Sequence, residues 1–398
     1  MNEKTEVNMT IGIDKIGFAT SQYVLKLQDL AEARGVDPEK FSKGLLLNEI
    51  SIAPLTEDIV TLAASASNSI LTDKEKEEID MVIVATESGI DQSKAAAVFV
   101  HGLLGIQPFA RSFEIKEACY GATAALHYAK LHVENSPESK VLVIASDIAK
   151  YGVGTPGEPT QGAGSVAMLI TQNPRIMAFN NDNVAQTRDI MDFWRPNYSS
   201  TPYVNGMYST QQYLDCLTTT WDEYKKRYDW TMDDFAAICF HLPYPKLALK
   251  GLRKMMDKTL SQEKKDSLQE NFDKSILYSQ MIGNIYTGSL FLGLLSLLEN
   301  AETLKAGDKI ALYSYGSGAV SEFFSGELVE GYEAYLDKDR SSKLKQRTAL
   351  SVADYEKVFF EEVQLDESGS AQFAAYEHQY YALVEIVDHQ RRYSKVEK

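Results

Sequence analysis

The sequence predicts an α/β protein built from two related halves, with helices on both faces of its sheets. Continuous apolar runs typical of buried strands, as at 81–87 and 235–240, alternate along the chain with helical segments. Each half of the 398-residue chain contains this alternation and ends in segments typical of antiparallel strands. No low-complexity linker separates the halves, so we expect them to share a core.

The first half is assigned to residues 9–180 and follows a loose lead-in at 1–8. Asn173-Pro174 favours a turn between its last two strands, which we expect to pair with each other. The elements predicted here are, in chain order, a strand at 11–18, helices at 23–33 and 58–70, a strand at 81–87, a helix at 93–104, a strand at 113–116, a helix at 122–133 and strands at 140–146, 165–171 and 175–180.

Residues 181–230 predict an inserted aromatic and polar region, in which segments 192–196 and 205–206 interrupt any long element before a helix at 211–228. The strand–helix alternation restarts in a second half at 231–398. Its predicted elements are a strand at 235–240, helices at 246–256, 263–279 and 288–299, and strands at 309–315, 319–324 and 381–388.

Composition excludes several function classes. A formal net charge of −16 argues against general nucleic-acid binding, although local lysines can still attract an anionic ligand. Three sparse cysteines without a CxxC pair predict neither a disulfide framework nor a zinc site, and they favour a reducing cytoplasm. The polar N-terminus lacks a signal-peptide core, and no apolar run is long enough to span a bilayer. We therefore expect a soluble cytoplasmic protein without a bound metal.

The stretch from Glu114 to Leu126 predicts a strand, a tight connection and a helix, with Cys119 at the junction. Small residues at 121–125 allow the helix to begin there and to pack deep inside the protein. Because a helix N-terminus favours thiolate over thiol, we predict a lowered pKa for Cys119 and a role as a covalent nucleophile. The alternative is a cysteine that only fills the core.

Other polar groups follow predicted buried strands, where ligands collect in open α/β folds. Glu87 follows an apolar run, and partial burial would raise its pKa into the range of acid–base catalysis. His241 closes the strand at 235–240 and can donate a hydrogen bond to a substrate carbonyl. The alternatives are a solvated strand end for Glu87 and a satisfied structural histidine for His241.

A glycine-bounded loop places Asn284 before a helix, where its amide offers a donor and an acceptor. The backbone N–H groups of Ser317, in a Gly-Ser-Gly turn, and Cys119 could hold a thioester oxyanion. Lys246 and Lys250 share a helix face and could meet phosphates, or they are simply solvated. The sequence contains neither a Walker A pattern nor a GxGxxG after a strand, which argues against nucleotide hydrolysis and dinucleotide redox. Cys216 and Cys239 are predicted to be packing residues.

As a set, these motifs resemble those of the bacterial hydroxymethylglutaryl-CoA synthases, from about Met9 to the C-terminus. The motifs are Thr86-Glu87-Ser88, Ala118-Cys119-Tyr120-Gly121, His241-Leu242-Pro243-Tyr244, Gly283-Asn284-Ile285-Tyr286 and Tyr315-Gly316-Ser317-Gly318. The resemblance implies a thiolase-like fold of two related halves in five α-β-α-β-α layers. It also implies a homodimer with an active site reached by a tunnel.

The reaction implied is the condensation of acetyl-CoA with acetoacetyl-CoA and water to hydroxymethylglutaryl-CoA and CoA, without a cofactor, at the entry to the mevalonate pathway. Cys119 resembles the nucleophile that takes the acetyl group, Glu87 the base that removes a methyl proton, and His241 the group that polarises the acetoacetyl ketone. The remaining matches are to positions that bind or surround the substrates: Tyr120, Asp147, Tyr151, Asp192, Phe193, Lys246, Lys250, Asn284, Tyr286 and Ser317.

One departure from the family pattern is Asn205, which stands where an aspartate is usual and leaves a local turn in question. Three other functions stay open at this point. A fatty-acid-type ketoacyl synthase shares the cysteine, histidine and asparagine but needs no carboxylate at position 87. A non-catalytic acyl-CoA-binding protein would lack acyl transfer, and a cysteine hydrolase would need a histidine hydrogen-bonded to the thiolate.

Overall fold

The computed structural model describes residues 10–375 and 379–396, and the predicted lead-in at 1–8 lies outside them. The predicted α/β class is confirmed. The strands are β1 (Ile11–Ala19), β2 (Tyr23–Lys26), β3 (Glu49–Ile52), β4 (Ile79–Ala85), β5 (Arg111–Ile115), β6 (Lys140–Ala149), β7 (Gly162–Gln172), β8 (Met177–Phe179), β9 (Val184–Thr187), β10 (Phe193–Trp194), β11 (Tyr203–Val204), β12 (Ala237–Phe240), β13 (Lys309–Gly316), β14 (Val320–Leu328), β15 (Thr348–Ala349), β16 (Ala371–Gln372), β17 (Tyr381–Val387) and β18 (Gln390–Lys395).

Within the described ranges the helices vary from single turns to a 23-residue helix, and four short 3₁₀ turns accompany them. The helices are α1 (Leu27–Ala33), α2 (Glu39–Ser42), α3 (Ile59–Asn68), α4 (Asp73–Glu78), α5 (Ala96–Leu104), α6 (Gly121–Asn135), α7 (Gly206–Tyr228), α8 (Pro245–Met255), α9 (Gln262–Ser275), α10 (Ser279–Ile282), α11 (Ser289–Asn300), α12 (Arg340–Lys345) and α13 (Val352–Phe360); the 3₁₀ turns are Glu158–Thr160, Met232–Asp234, Tyr286–Gly288 and Tyr332–Tyr335.

The strand order of the main sheet contains the same arrangement twice. The order is β12-β13-β14-β8-β1-β7-β6-β4-β5, with β9 added to β14. In the first half, β4 and β6 are parallel, and β7 and then β1 follow antiparallel. In the second half, β12 and β13 are parallel and β14 follows antiparallel; the place beside β14 is taken, also antiparallel, by β8 from the predicted first half. Strand β8 also pairs with β1 and so joins the two sets of strands. Because the sheet runs through both halves, the boundary between them stays a prediction.

The elements pack in five layers. Helices α6 and α11 lie in the central layer and share one apolar core with strands of both halves. On one outer side, α3 and α5 cover β4, β6 and β7. On the other side, α7, α8 and α9 cover β12, β13 and β14. Strands that are covered on both faces must be apolar throughout, which explains the continuous runs in the sequence.

Two local predictions are wrong. Residues 23–33 form strand β2 before the short helix α1, because Tyr23–Lys26 pairs with β3 in a small separate sheet. Strands β7 and β8 do not pair with each other around Asn173-Pro174; both pair with β1 instead. Strand β1, about 160 residues earlier in the sequence, therefore lies between β7 and β8. A local turn signal cannot reveal such a distant partner.

The equivalent strands of the two halves end at the candidate catalytic residues. Strand β4 ends at Ala85, two residues before Glu87, and β12 ends at Phe240, one residue before His241. The central helices contribute the other side, because Cys119 directly precedes α6 and Asn284 precedes α11. Among the described residues, no helix is both long and apolar enough to cross a membrane.

Candidate active site

The backbone presents Cys119 on a tight turn between β5 and α6. Ala118 has a φ of +40°, and the N–H of Tyr120 donates to the Glu117 carbonyl at 2.9 Å. Helix α6 begins at Gly121, so the position predicted for Cys119 beside a helix N-terminus is confirmed. A left-handed residue is uncommon outside glycine and marks a turn that its surroundings hold in place.

The Cys119 thiol donates a hydrogen bond to Oε1 of Glu87, with a sulfur–oxygen distance of 3.0 Å. Burial raises the pKa of Cys119 well above the value of a free thiol, and the nearby Glu87 carboxylate raises this pKa further. The predicted low thiol pKa is therefore wrong for the free protein. A helix N-terminus favours the thiolate, but loss of water and an adjacent negative charge outweigh it.

The carboxyl of Glu87 also titrates far from its ordinary value. Burial raises the pKa of Glu87 to about 8, and the carboxylate of Asp147 contributes to the rise. The hydrogen bond from Cys119 and the charge of Arg195 act in the opposite direction. The predicted upward shift of the Glu87 pKa is thus present, and it moves the group into the range useful for accepting and returning a proton near neutral pH.

Asp147 fixes the segment that carries Glu87. Its Oδ1 atom accepts hydrogen bonds from the backbone N–H of Glu87 at 2.9 Å and from the Ser88 N–H at 3.0 Å. The hydroxyls of Thr86 and Ser88 donate to the same atom. Its Oδ2 atom accepts from the hydroxyl of Thr287, at 2.5 Å, in the other half. Asp147 is completely buried and holds the backbone of Glu87, so it positions that side chain without being exposed itself.

Asp192 does the same for the turn that contains Ser317. Its Oδ1 accepts from the Gly318 N–H at 2.9 Å, and its Oδ2 accepts from the Tyr315 hydroxyl at 2.7 Å. The N–H of Ser317 has no hydrogen-bond partner within the described part of the chain, and Ser317 is partly exposed. A free backbone donor on a fixed turn is the feature that an oxyanion site requires.

His241 is a buried imidazole whose Nδ1 has no partner in the described part of the chain. The residue is 2% exposed, and its Nδ1 atom makes no hydrogen bond with the described residues. Its backbone is held on both sides, because its N–H donates to the Tyr313 carbonyl and its own carbonyl accepts from the Tyr213 hydroxyl. Burial lowers the pKa of His241 to about 3, so the ring is neutral at neutral pH. An unpaired buried nitrogen costs about 1–3 kcal/mol, which a substrate oxygen would recover.

Three aromatic rings from separate segments meet beside the nucleophile. The centroids of Tyr151, Phe193 and Tyr286 lie 5.9–6.1 Å apart in each pair. Asn284 organises this cluster: its Nδ2 donates to the Tyr151 hydroxyl at 2.8 Å, and its Oδ1 accepts from the Tyr286 N–H at 2.9 Å. The Asn284 Oδ1 also accepts from the Ser289 hydroxyl at 2.8 Å. The predicted substrate-binding role of Asn284 thus competes with three internal hydrogen bonds, although one amide hydrogen stays available.

Lys246 and Lys250 lie on the first two turns of α8, just after His241. Lys250 is exposed and Lys246 partly buried, and neither ammonium forms an ion pair with another described residue. The loop before β3 meets this helix, because the Lys246 N–H donates to the Leu45 carbonyl at 3.1 Å. Two unpaired cations near the site are compatible with the predicted contact to phosphates.

Tyr120 does not direct its hydroxyl to an open site. The hydroxyl donates to Oε2 of Glu322 at 2.6 Å, in the second half of the chain. Sequence reasoning missed Glu322, because nothing near it in the sequence indicates its partner. It also missed Arg195, which donates to the Glu87 carbonyl at 2.5 Å. Its position three residues after Asp192 was the available signal.

Three smaller predictions can be compared with the structure. Asn205 caps α7, since its side chain accepts from the Tyr208 N–H at 3.2 Å; an amide therefore supports the turn where an aspartate is usual. Cys216 and Cys239 are buried among apolar residues, which confirms them as packing residues. Across 10–375 and 379–396, no three His, Cys, Asp or Glu side chains are grouped as metal ligands would be.

Sequence profiles of one family match nearly the whole chain. The profile described as the N terminal part of hydroxymethylglutaryl-coenzyme A synthase matches residues 8–175. The profile of the C terminal part matches residues 183–270 and 252–395. A curated relative, hydroxymethylglutaryl-CoA synthase of Enterococcus faecalis, is 54% identical over 360 residues, which cover 90% of this chain and 94% of that protein.

Solved structures give the same match. A crystal structure of a hydroxymethylglutaryl-CoA synthase complexed with CoA is 68% identical and superimposes with a TM-score of 0.96 over 98% of this chain and 100% of that chain. A second solved structure, described as MvaS in complex with 3-hydroxy-3-methylglutaryl coenzyme A, is 32% identical, with a TM-score of 0.86 over 98% of this chain and 100% of that chain.

Proposed function

The chain belongs to the hydroxymethylglutaryl-CoA synthase family and has its thiolase-like fold, and we propose that Cys119, Glu87 and His241 carry out the family's reaction. The protein condenses acetyl-CoA with acetoacetyl-CoA and water to 3-hydroxy-3-methylglutaryl-CoA and CoA. The observation that carries the assignment of roles is the 3.0 Å hydrogen bond between the Cys119 thiol and Glu87. It joins a nucleophile to a base in a half-buried site.

The first step is acetyl transfer to Cys119. The thiol gives its proton to Glu87, with which it is already hydrogen-bonded, and Sγ attacks the acetyl carbonyl of acetyl-CoA. The Ser317 N–H is available to hold the developing oxyanion. The carbon–sulfur bond to CoA then breaks, and the CoA thiolate takes up the proton. Glu87 is left as a carboxylate beside an acetylated cysteine.

The second step forms the carbon–carbon bond. The Glu87 carboxylate removes a proton from the acetyl methyl group, and the resulting enolate attacks the ketone carbon of acetoacetyl-CoA. Neutral His241 donates a hydrogen bond to the ketone oxygen, which becomes an alkoxide and takes the proton from Glu87. Water finally hydrolyses the thioester to Cys119 and leaves a free carboxylate on the product.

The aromatic cluster of Tyr151, Phe193 and Tyr286 encloses this chemistry. Its rings surround the acyl group with apolar surface, which excludes water until the condensation is complete. Lys246 and Lys250 bind the phosphates of the CoA thioesters. All groups that the reaction needs are side-chain or backbone groups, so we propose that no cofactor takes part.

We also propose a homodimer formed through strand β5. This strand is the edge of the main sheet and is only half buried, whereas its neighbour β4 is almost completely buried. Apolar side chains near this edge are exposed to solvent: Phe109 is 90% exposed and Leu131 is 64% exposed. The exposed ring of Tyr128 packs against Phe113 of β5. A second copy, related by a two-fold axis, would extend the sheet and cover these residues.

The cellular setting proposed is a cytoplasmic mevalonate pathway. Cys119, Cys216 and Cys239 are free thiols, which suits a reducing compartment. One of the structural relatives is MvaS bound to the product of the condensation. The free thiols support the proposed location, and the MvaS relative supports the proposed pathway.

The proposed roles are tested by following the acetyl group. Purified protein is mixed with acetyl-CoA alone, and mass spectrometry of the peptides is expected to find one acetyl group on Cys119. Adding acetoacetyl-CoA should release hydroxymethylglutaryl-CoA, and malonyl-CoA should not replace acetyl-CoA. The Glu87→Ala variant should still take the acetyl group, but more slowly because its thiol has lost the proton acceptor, and it should fail to condense. Acetylation at another residue, or condensation by Glu87→Ala near the normal rate, would overturn the assignment.

A further inference from the structure

A buried carboxylate of the second half contacts the turn that carries the nucleophile of the first half. Glu322 lies in β14 and is 2% exposed. It accepts hydrogen bonds from the Tyr120 hydroxyl at 2.6 Å and from Nδ2 of Asn183 at 2.8 Å, and its Oε1 lies 2.5 Å from Nε2 of His127. Tyr120 and His127 lie in the first half and Asn183 in the inserted region, so the carboxylate is a junction between three parts of the chain.

The tautomer of His127 decides the pattern of hydrogen bonds in this cluster. Asn183 Nδ2 lies within hydrogen-bonding distance of both Glu322 and His127 Nε2. If the His127 proton is on Nε2, all three neighbours donate to Glu322, and an ionised carboxylate is fully satisfied. A buried carboxylate needs this number of donors, because an unpaired one is costly. A glutamine at this position would place its NH₂ group, a hydrogen-bond donor, against at least one of these donors.

The turn has no freedom to move independently of Tyr120. A Cβ atom on Gly316 would lie 2.7 Å from the Tyr120 Cβ and from the Glu117 carbonyl oxygen, so the turn rests directly on the end of β13. One turn further along α6, the Thr123 hydroxyl donates to the Ser314 hydroxyl at 2.8 Å. Tyr120 is therefore held at its backbone by β13 and at its hydroxyl by Glu322 of the next strand.

We propose that Glu322 is a positioning residue for the nucleophile. By holding the Tyr120 hydroxyl, it keeps the left-handed turn at Ala118 in place and thereby directs the Cys119 sulfur to Glu87. His127, whose side chain is 33% exposed, connects this junction to the surface. The inference rests on the proposed role of Cys119 as nucleophile and goes beyond it, because it assigns the alignment of that residue to a carboxylate 203 positions later in the sequence.

The test compares Glu322→Gln, Tyr120→Phe and the double variant with Glu327→Gln, which alters an exposed glutamate on the same strand. The readouts are the rate of Cys119 acetylation by acetyl-CoA and the rate of its alkylation by iodoacetamide. Both are expressed per protein molecule that circular dichroism and a thermal melt show to be folded. Alkylation does not depend on the enzymatic function.

We expect each single variant to slow acetylation about tenfold or more, with KM for acetyl-CoA changed less than twofold and the pH dependence of alkylation displaced. The double variant should be no slower than the slower single one, because both changes break the same hydrogen bond. Glu327→Gln should behave like the unaltered protein.

Two results would overturn the inference: acetylation by folded Glu322→Gln at the normal rate, or effects of the two single changes that multiply in the double variant. If the unaltered protein takes no acetyl group on Cys119, the proposed function fails instead. The rate of alkylation still decides the inference in that case, because it measures the reactivity of the Cys119 sulfur without any acyl donor.

Discussion

The sulfur of Cys119 and Oε1 of Glu87 are 3.0 Å apart, and the thiol is the donor. The two groups have opposite effects on each other: the carboxylate raises the thiol pKa, whereas the hydrogen bond from the thiol lowers the carboxyl pKa. When the two groups share a single proton, the pair therefore favours a protonated sulfur beside an ionised carboxylate. Because the reaction needs a base, the form that can begin it is the ionised form of Glu87.

This relationship predicts the pH dependence of condensation. Burial raises the pKa of Glu87 to about 8, so the fraction of ionised base increases as the pH rises towards this value. We expect kcat/KM to increase about tenfold per pH unit well below pH 8 and to level off above it. Initial rates between pH 6 and pH 9.5, as rough limits, measure the profile. A flat profile through pH 8 would contradict the role of Glu87 as base.

The same group should make folding stability depend on pH. In the unfolded chain Glu87 has an ordinary pKa of 4.5, so between about pH 4.5 and 8 the folded state binds more protons than the unfolded state. The free energy of unfolding therefore decreases as the pH rises through that window, because the folded protein must ionise a buried carboxyl. The Glu87→Gln variant has no carboxyl at this position and so lacks this pH dependence. Its melting temperature minus that of the unaltered protein should increase from pH 5 to pH 9 by a few degrees. An unchanged difference would argue against a raised pKa.

Much of the site could be predicted from the sequence, because strand ends are visible in it. Glu87 and His241 follow continuous apolar runs, and such runs end at one edge of a covered sheet. The sign of the Cys119 pKa shift could not be predicted. It depends on a carboxylate 32 residues earlier, and only the parallel pairing of β4 and β5 brings the two together.

The other errors have the same physical origin. Residues 23–26 join a strand pair instead of a helix, because β3 offers them hydrogen bonds that local propensity does not contain. The carboxylate of Glu322 lies in an almost completely buried strand, and its partners come from segments about 140 and 200 residues away. Sequence patterns indicate which residues are buried, but the partner of a buried charge is known only from the tertiary structure.

His241 is expected to act as a neutral donor. Replacing it with alanine removes the donor to the acetoacetyl ketone, so kcat for condensation should fall about 100-fold. Acetylation of Cys119 should stay within about twofold, because that step does not use the ketone. Stopped-flow acetylation and steady-state condensation measure the two steps separately. His132→Gln, on α6, serves as the control.

The pH profile gives an independent check on His241. Since burial lowers the pKa of His241 to about 3, the unaltered enzyme should show no loss of activity from His241 ionisation between pH 6 and pH 8, as approximate limits. A limb with a pKa near the ordinary histidine value that disappears in His241→Ala would show that the ring is charged during catalysis.

Asp147 should contribute to the stability of the fold. It is completely buried and accepts bonds from Thr86, Ser88, Thr287 and the Glu87 backbone. In Asp147→Asn an amide group would face hydrogen-bond donors, so we expect a loss of about 3 kcal/mol in unfolding free energy by urea titration. The exposed Asp189→Asn should change it by less than about 0.5 kcal/mol. Equal stabilities would mean that the network is not held by charge.

Lys246 and Lys250 are expected to set affinity for the CoA moiety. Each is replaced by alanine, and Lys254→Ala is the control, because that lysine lies on the same helix but pairs with Asp215 at 3.7 Å. KM for acetyl-CoA should rise roughly tenfold for the first two, with kcat changed little, since a charge-assisted phosphate contact is equally strong before and during the reaction. Dephospho-acetyl-CoA identifies the phosphate involved. If the variants and the unaltered enzyme have the same KM for it, the lysines bind the 3′-phosphate; if the difference persists, they bind the diphosphate. A KM for acetyl-CoA that neither substitution changes would show that both lysines are only solvated.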